Sequence, residues 1–389
     1  MVYYLFAKYS SSNIEDAEQA LSARKRYQWV NLLNVIACIA VIALHVTLNV
    51  FTPERSRAWL TSLIIHALCI FATPIFFMIS GMNLLNYRKR YSTKDFFLKR
   101  LKRVGVALIC ASLLCYLLFG LFPHSFYNCD SYLTAFGPID FLERFFSNSI
   151  NDIYWFLYSI IYLYLLTPLL SLAVSNKRTM TYLLALTGFL CFVILLLQQL
   201  GVSNTYLNPL FGWSAFSYTP LFYYLAGGYI GNHVPMPVAP NKKRTLFLAA
   251  LFVLSFSGMV VIGLAANGAF GPQMSNKFVD FPTSTASPLC ALETLSLFLL
   301  ARQLDQFLQG EAIGALLTRL SKLSFNVYLI HNLFLLWQAP VELQGFFASL
   351  SRHPLIKIAL AYALSLAACS IYAFLKELPR RLFSPQTAN

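Results

Sequence analysis

The polar residues inside the first two long apolar stretches are spaced to lie on one face of a helix. In residues 30–50 they follow one another at intervals of 3, 4, 7 and 4, as Asn31, Asn34, Cys38, His45 and Asn49. In residues 59–86 a second stripe contains His66, Thr73 and Ser80, with Cys69 and Asn83. Polar groups at membrane depth are costly and usually line a bundle interior or a wet cavity. The pattern therefore predicts a membrane protein with a polar interior, and function is expected there.

Ten apolar stretches reach the ~20 residues that cross the hydrocarbon core of a bilayer. The predicted spans are roughly 30–51, 59–86, 102–122, 151–172, 180–200, 214–232, 245–266, 283–301, 323–340 and 355–377. Of these, the sixth is the least typical, because it is short and rich in Tyr and Gly. We predict an all-α polytopic membrane protein of about ten transmembrane helices, with both termini cytoplasmic.

Composition agrees with a chain whose main solvent is lipid. Only 11% of its residues are charged and 58% are hydrophobic, and its mean hydropathy is +0.62. A soluble domain carries about a quarter charged residues.

The net charge of +14 reflects topology and does not imply nucleic acid as a partner. With ten spans and the N-terminus inside, 23 of the 29 Lys and Arg residues fall on the inner side. Six remain outside, namely Arg55, Arg57, Arg144, Lys277, Arg352 and Lys357. This asymmetry follows the positive-inside rule.

One transmembrane domain accounts for most of the chain. Residues 1–28 are predicted to be a cytoplasmic N-terminal segment, because they are charged and lack the apolar core of a signal peptide. Residues 29–378 form the predicted domain and 379–389 a cytoplasmic tail. The longest outer loop is about 123–150. It contains Cys129, while the other seven cysteines lie in or beside spans, so no disulfide framework is indicated.

Candidate chemistry begins at the inner end of the third span. Arg100 and Arg103 are three residues apart, so both guanidinium groups lie on one helix face and are suited to grip a phosphorylated ligand. The alternative is that these residues only anchor the positive inner side.

Three histidines and one glutamate lie at membrane depth. His45 is about 24 Å along the first span from Trp29, in the outer third, and His66 lies at a similar depth in the second span. His331 falls near the middle of the ninth span, and Glu293 is the charged residue within the eighth. Each is a candidate functional residue, with a hydrogen-bonded packing role as the alternative. No HExxH motif or Cys/His cluster indicates a metal.

Several motifs in order resemble those of the acyltransferase-3 family of membrane acyltransferases. The first runs from Trp29 through Asn31 and Asn34 to His45, and the second is Thr73-Pro-Ile-Phe-Phe-Met-Ile-Ser-Gly81. The Arg100/Arg103 pair follows, then Tyr154-Trp155-Phe156-Leu157 with Tyr164 and Pro168, and last Leu323-Ser324-Phe-Asn-Val-Tyr328-Leu-Ile-His331. The resemblance covers residues 29–377 and is closest to bacterial inner-membrane O-acetyltransferases that modify surface polysaccharides or their lipid-linked precursors.

The first span departs from the family pattern. Asn31 and Asn34 occupy positions where relatives usually have an Asp and an Arg. Both charges of the pair that the resemblance implies are lost together, which avoids leaving one buried charge uncompensated. Two Asn side chains retain the capacity to hydrogen-bond to each other. If the Arg contacts the donor in relatives, the departure affects the donor site.

The resemblance implies transfer of an acyl group from cytoplasmic acyl-CoA, the co-substrate, to a hydroxyl of a carbohydrate or lipid-linked glycan, with no permanently bound cofactor. The expected catalytic residues are His45 as general base, with His331 and Glu293 as orienting groups. The expected donor-binding residues are Arg100, Arg103, Asn34 and Ser80. Residues expected at the acceptor site or lining it are Asn31, His66, Tyr154, Trp155 and Tyr328. A carrier or flippase for a polar or polyprenyl-linked substrate, or a catalytically silent relative, remains the alternative.

Overall fold

The described part of the chain is helical. A computed structural model describes residues 27–133, 135–211, 218–338 and 353–383, which contain α-helices and short 3-10 helices and no strand. The α-helices are α1 Gln28–Val46, α2 Arg57–Cys69, α3 Ala72–Leu84, α4 Thr93–Leu121, α5 Pro123–Tyr127, α6 Pro138–Phe146, α7 Trp155–Ala173, α8 Lys177–Gly188, α9 Ile194–Gln199, α10 Asn204–Phe211, α11 Thr219–His233, α12 Lys242–Ala266, α13 Pro288–Leu304, α14 Glu311–Leu336 and α15 Pro354–Phe383. A π-helical turn, Phe189–Val193, joins α8 to α9. The all-α prediction is confirmed for these residues.

Eight helical segments in the described ranges are long and apolar enough to cross a membrane. They correspond to eight of the ten predicted spans, with α2 and α3 together forming one segment. Residues 214–217 of the sixth predicted span lie outside the described residues, and the rest overlaps α11, which has 15 residues. The ninth predicted span overlaps α14, which carries three charged residues in its first half. The count of ten and the orientation of the termini stay predictions.

The second predicted span corresponds to one membrane-spanning segment, Arg57–Lys89, which contains two α-helices. The chain turns at Ile70 and Phe71, between α2 and α3. Pro74 lies in the first turn of α3, where its missing N–H group is tolerated. His66 lies on α2, whereas Thr73 and Ser80 lie on α3.

The ends of other spans also differ from prediction. Helix α14 begins at Glu311, twelve residues before the predicted start of the ninth span, and ends at Leu336. His331 is therefore near the end of its helix and not near the middle of the span. Residues 339 and 340 lie outside the described residues, as do 1–26 of the predicted N-terminal segment and 384–389 of the predicted tail. The start of that tail is helical, because α15 continues to Phe383.

Helix α1 lies at the centre of the helices that build the site. It packs against α2, α3, α13, α14 and α15. Cys38 and Asn31, on its polar face, are buried. The predicted inward orientation of the first stripe is confirmed for these two residues.

Two glycines allow α3 and α11 to approach at backbone distance. A Cβ atom placed on Gly81 would lie 1.8 Å from the carbonyl oxygen of Tyr224, and one on Gly227 would lie 1.9 Å from that of Met78. Glycine has no side chain to prevent such an approach. This contact fixes the position of α3, whose Ser80 lies next to Gly81.

The topology can be tested by cysteine labelling. In a variant retaining only Cys129, we expect a membrane-impermeant maleimide to react from outside, because the 23-to-6 distribution of Lys and Arg orients the chain. Tags at either terminus or in the 233–244 loop should report the cytoplasm, and a tag within 270–280 the outside. Cytoplasmic labelling of Cys129 would contradict the ten-span topology.

Candidate active site

A row of hydrogen bonds connects the polar face of α1 to α14. Four residues of α1 bond to three residues of α14 that are spaced three apart in sequence. Gln28 and Asn31 donate to the Thr318 hydroxyl, with donor-acceptor distances of 3.4 and 3.2 Å. Asn34 Nδ2 donates to Ser321 Oγ at 3.2 Å. Cys38 Sγ donates to the Ser324 carbonyl oxygen at 3.5 Å. The polar faces of α1 and α14 therefore meet along one seam, defined by these hydrogen bonds, and a pair of histidines lies further along the same two helices.

The pair is His45 and His331, and its hydrogen bonds assign the tautomers. His331 Nδ1 lies 2.7 Å from the Tyr328 carbonyl oxygen, and His331 Nε2 lies 3.1 Å from His45 Nδ1. A carbonyl oxygen only accepts, so Nδ1 of His331 carries the hydrogen. With both rings neutral, Nε2 of His331 accepts from Nδ1–H of His45. This leaves Nε2 of His45 with its lone pair, as a proton acceptor.

The start of α7 is attached to α14 next to this pair. Tyr154 donates a hydrogen bond of 2.8 Å to the Leu329 carbonyl oxygen, and Tyr328 donates one to the carbonyl oxygen of Ile153. The residue between Asn151 and Ile153 is Asp152, whose carboxylate lies within electrostatic reach of the His45 ring. A carboxylate there stabilises an imidazolium that forms when His45 accepts a proton.

Asp152 was not predicted from the sequence. A signal for it was present, because it is an acidic residue two positions before the Tyr154-Trp155 motif at the start of the fourth predicted span. Its neighbour Asn151 is buried and accepts a hydrogen bond of 2.8 Å from Asn332, the residue after His331. Hydrogen bonds of its neighbours Asn151 and Ile153 to α14 hold the exposed Asp152 within electrostatic reach of His45.

A cavity of about 280 Å³ lies along the same seam, among α1, α3, α4, α7 and α14. Its polar lining includes all four residues predicted to bind the donor, together with hydroxyl groups of α7 and α14. These residues are Asn34, Ser80, Arg100, Arg103, Tyr164, Ser321, Ser324 and Tyr328. Tyr328 connects the cavity to the histidine pair, because its ring centroid is 5.9 Å from that of His331.

The two arginines give the cavity a positive end. Neither Arg100 nor Arg103 forms an ion pair within the described residues, where the salt bridges recorded are His124–Asp130 and Arg144–Asp140. Arg100 has a buried Nε atom without a hydrogen-bond partner. Arg103 is exposed, with its guanidinium 5.9 Å from the centre of the Phe325 ring. Among the described residues no acidic side chain lines this cavity, so the two unpaired cations are suited to bind an anion.

A family model described as "Acyltransferase domain" (Acyl_transf_3) matches residues 27–374, nearly the whole chain. The chain belongs to this acyltransferase family. Neither the curated proteins nor the solved structures give a match. The resemblance seen in the sequence motifs is thereby confirmed, and so is a membrane acyltransferase as the general class of this protein.

The sequence allowed a hydrogen bond between Asn31 and Asn34. In the structure of this acyltransferase the two residues bond to other partners. Asn31 bonds to Gln28, at 2.8 Å, and to Thr318, whereas Asn34 bonds to Ser321. Asn31 is not among the residues that line the cavity, and Asn34 is. Of the two positions that depart from the family pattern, only Asn34 therefore borders the predicted donor site.

Glu293 and His66 do not join the His45–His331 hydrogen bond. Glu293 is fully buried, and neither of its carboxyl oxygens has a hydrogen-bond partner in the described residues. It lies within electrostatic reach of Cys69, Cys290 and Tyr223. His66 packs edge-on against Phe51 at 5.7 Å and within electrostatic reach of His45. The catalytic role of Glu293 and the acceptor role of His66 stay predictions.

Tyr154 and Trp155, adjacent in sequence, lie in different surroundings. Tyr154 is buried and holds α7 to α14, as described above. Trp155 is 40% exposed and lines a second, smaller cavity with Thr73 of the α3 first turn. Of these two predicted acceptor-site residues, Trp155 is therefore the one whose ring is open to a ligand.

Proposed function

We propose that this acyltransferase moves an acyl group, acetyl in the simplest case, from cytoplasmic acyl-CoA to a hydroxyl of a cell-surface carbohydrate or its lipid-linked precursor, in a bacterial inner membrane. The observation that carries the proposal is that the cavity lined by Arg100 and Arg103 is also lined by Tyr328, whose ring packs 5.9 Å from that of His331 in the His45–His331 pair. An anion-binding end and a proton acceptor thereby lie in neighbouring parts of one group of helices.

The donor binds from the arginine end of the cavity. Arg100 and Arg103 contact the phosphates of CoA, because guanidinium forks bind phosphate oxygens in bidentate geometry. At about 280 Å³ the cavity is at the small end of ligand pockets. It takes the pantetheine arm and the thioester, while the nucleotide remains at the mouth. Asn34, Ser80, Ser321 and Ser324 offer hydrogen bonds to the amides of that arm.

Transfer begins at His45. Its Nε2 atom accepts the proton of the acceptor hydroxyl, and the oxygen attacks the thioester carbonyl carbon. As the tetrahedral intermediate collapses, the carbon–sulfur bond breaks. The leaving sulfur takes the proton back from the imidazolium and departs as the CoA thiol. One ester forms for each thioester consumed.

His331 and Asp152 support His45 in different ways. Through its Nε2 atom, His331 holds the Nδ1–H hydrogen of His45 and so fixes the tautomer whose Nε2 is free to act as a base. Asp152 favours the positively charged ring formed during transfer, since it lies within electrostatic reach of it. Both are positioning residues in this proposal.

The carrier or flippase remains the rival function. The observation that favours it is Glu293, a fully buried carboxyl group without a hydrogen-bond partner in the described residues. Such residues often mark ion or substrate paths in membranes. A carrier would move its substrate without consuming acyl-CoA, so release of the CoA thiol separates the two functions.

Replacing Arg100 or Arg103 by Ala is expected to raise the apparent KM for acyl-CoA more than it lowers kcat. Loss of a charge-assisted contact is worth roughly 1.5–3 kcal/mol, which corresponds to about a 10- to 150-fold weaker donor interaction. Steady-state release of CoA thiol at varied acetyl-CoA measures both constants.

Lys102→Ala is the matched control for these variants. Lys102 lies between the two arginines and is exposed, but it does not line the cavity. We expect it to keep the KM of the natural protein. If Arg100→Ala and Arg103→Ala express normally and behave as Lys102→Ala does, the arginines serve only as anchors on the positive side, and the donor site lies elsewhere.

A further inference from the structure

A second cavity, of about 150 Å³, lies where α3, α7 and α11 begin. Its walls combine aromatic rings and hydroxyl groups. The rings include Phe77 and Trp155, and the hydroxyl groups include those of Thr73, Ser159, Tyr218 and Thr219. In the described part of the chain no charged side chain lines this cavity. It therefore differs from the larger cavity, whose two arginines favour an anion.

Neutral sugars match this lining. A pyranose ring has an apolar face of C–H groups, which packs on an aromatic ring, and a rim of hydroxyl groups, which donate and accept hydrogen bonds. Trp155 offers a large ring that is 40% exposed. Ser159 and Tyr218, which lie close to each other in this lining, offer hydroxyl groups at one side. An aromatic surface with a few placed polar groups is the usual make-up of a site for a small uncharged ligand.

The cavity borders the start of α7, close in sequence to a residue of the candidate active site. Trp155 is the first residue of α7, and the turn before it contains Asp152, which lies within electrostatic reach of His45. One layer of rings separates the two cavities. Phe156 lines the large cavity and Phe77 the small one, with ring centroids 4.9 Å apart, and the Phe77 ring is 6.4 Å from that of Trp155.

We propose that this cavity is the subsite for the acceptor, and that it binds one neutral sugar ring stacked on Trp155, with hydrogen bonds to Ser159 and Thr219. The proposal rests on the proposed function for the use made of the sugar, since the hydroxyl to be acylated comes from that ring or from the residue linked to it. Binding of the sugar itself requires no donor and no transfer.

Direct binding of monosaccharides tests the subsite. We would measure saturation-transfer NMR of D-glucose, D-galactose and N-acetyl-D-glucosamine with the full-length protein in detergent, without acyl-CoA. At least one of these sugars is expected to receive saturation. Trp155→Ala should weaken its binding about three- to tenfold, the loss expected for one aromatic contact, and Trp155→Phe should restore part of it.

Two further variants keep the test independent of folding defects. Ser159→Ala and Thr219→Val remove hydroxyl groups with little change in volume and should also weaken binding. Tyr182→Ala, an exposed aromatic residue on α8 away from the cavity, should not. No saturation of any of the three sugars by the natural protein, or equal binding in the Trp155, Ser159 and Thr219 variants, would overturn the subsite. Sugar binding without release of CoA thiol would instead overturn the proposed function and leave the subsite standing.

Discussion

Replacing His45 by Gln is expected to abolish acyl transfer while leaving a folded protein. Gln keeps a polar group of similar length beside His331, so the hydrogen bond between α1 and α14 has a substitute. It has no atom that accepts a proton from a hydroxyl near neutral pH. Loss of a general base typically costs 10²–10⁴ in rate. The measurement is kcat for CoA thiol release at saturating acetyl-CoA, compared with the natural protein.

The control for this variant is His66→Gln. His66 lies near His45 but takes no part in the hydrogen bond to His331. We expect the His66 variant to keep most of its activity. Thermal unfolding should show at most the ~1–3 kcal/mol that a lost buried hydrogen bond costs in the His45 variant, and no larger loss in the His66 variant. A His45→Gln protein that transfers acyl groups at the natural rate would refute the assignment of the base.

Replacing Gly81 by Ala is expected to prevent normal folding. The added methyl group would lie 1.8 Å from the Tyr224 carbonyl oxygen and 3.1 Å from its Cα atom, so relief requires the backbones of α3 and α11 to separate. Overpacking of a core typically costs 1–3 kcal/mol, and more where no side chain can yield. We expect low yield and early thermal unfolding of the purified variant.

Gly105→Ala provides the matched substitution. Gly105 lies within α4, and a Cβ atom there would meet nothing within 4 Å. Because Ala favours a helix interior over Gly by roughly 0.5–1 kcal/mol, this variant should be at least as stable as the natural protein. A Gly81→Ala protein with the yield and stability of Gly105→Ala would show that the close contact of α3 with α11 is wrong.

Much of the bundle follows from periodicity along the sequence. The polar stripe of the first span predicted its buried face, because a helix of 3.6 residues per turn brings Asn31 and Cys38 to one side. The break in the second span could not be read from hydropathy, since apolar residues continue through Ile70 and Phe71. Pro74 was the available signal, because proline cannot donate a hydrogen bond to the carbonyl group four residues before it, and it either kinks or breaks a helix.

The site was only partly predictable, for a different reason. The motifs supplied Asn34, Ser80, Arg100 and Arg103, which line one cavity in the structure. Local spacing carries no information on the contact between His45 and His331, which are 286 residues apart. The same holds for Asp152, since its relation to His45 depends on how the start of α7 is bound to α14. Contacts between distant segments are set by packing, and one sequence does not contain them in readable form.

Transfer of isotopic label from acetyl-CoA tests the central claim most directly. The purified protein would be incubated with acetyl-labelled acetyl-CoA and cell-envelope glycans, with His45→Gln as the control. The release of CoA thiol and the label in the glycans would be measured together. We predict equal amounts of both for the natural protein and neither above background for His45→Gln. Labelled glycan formed equally by both proteins, or intact acetyl-CoA with the natural protein, would contradict the account.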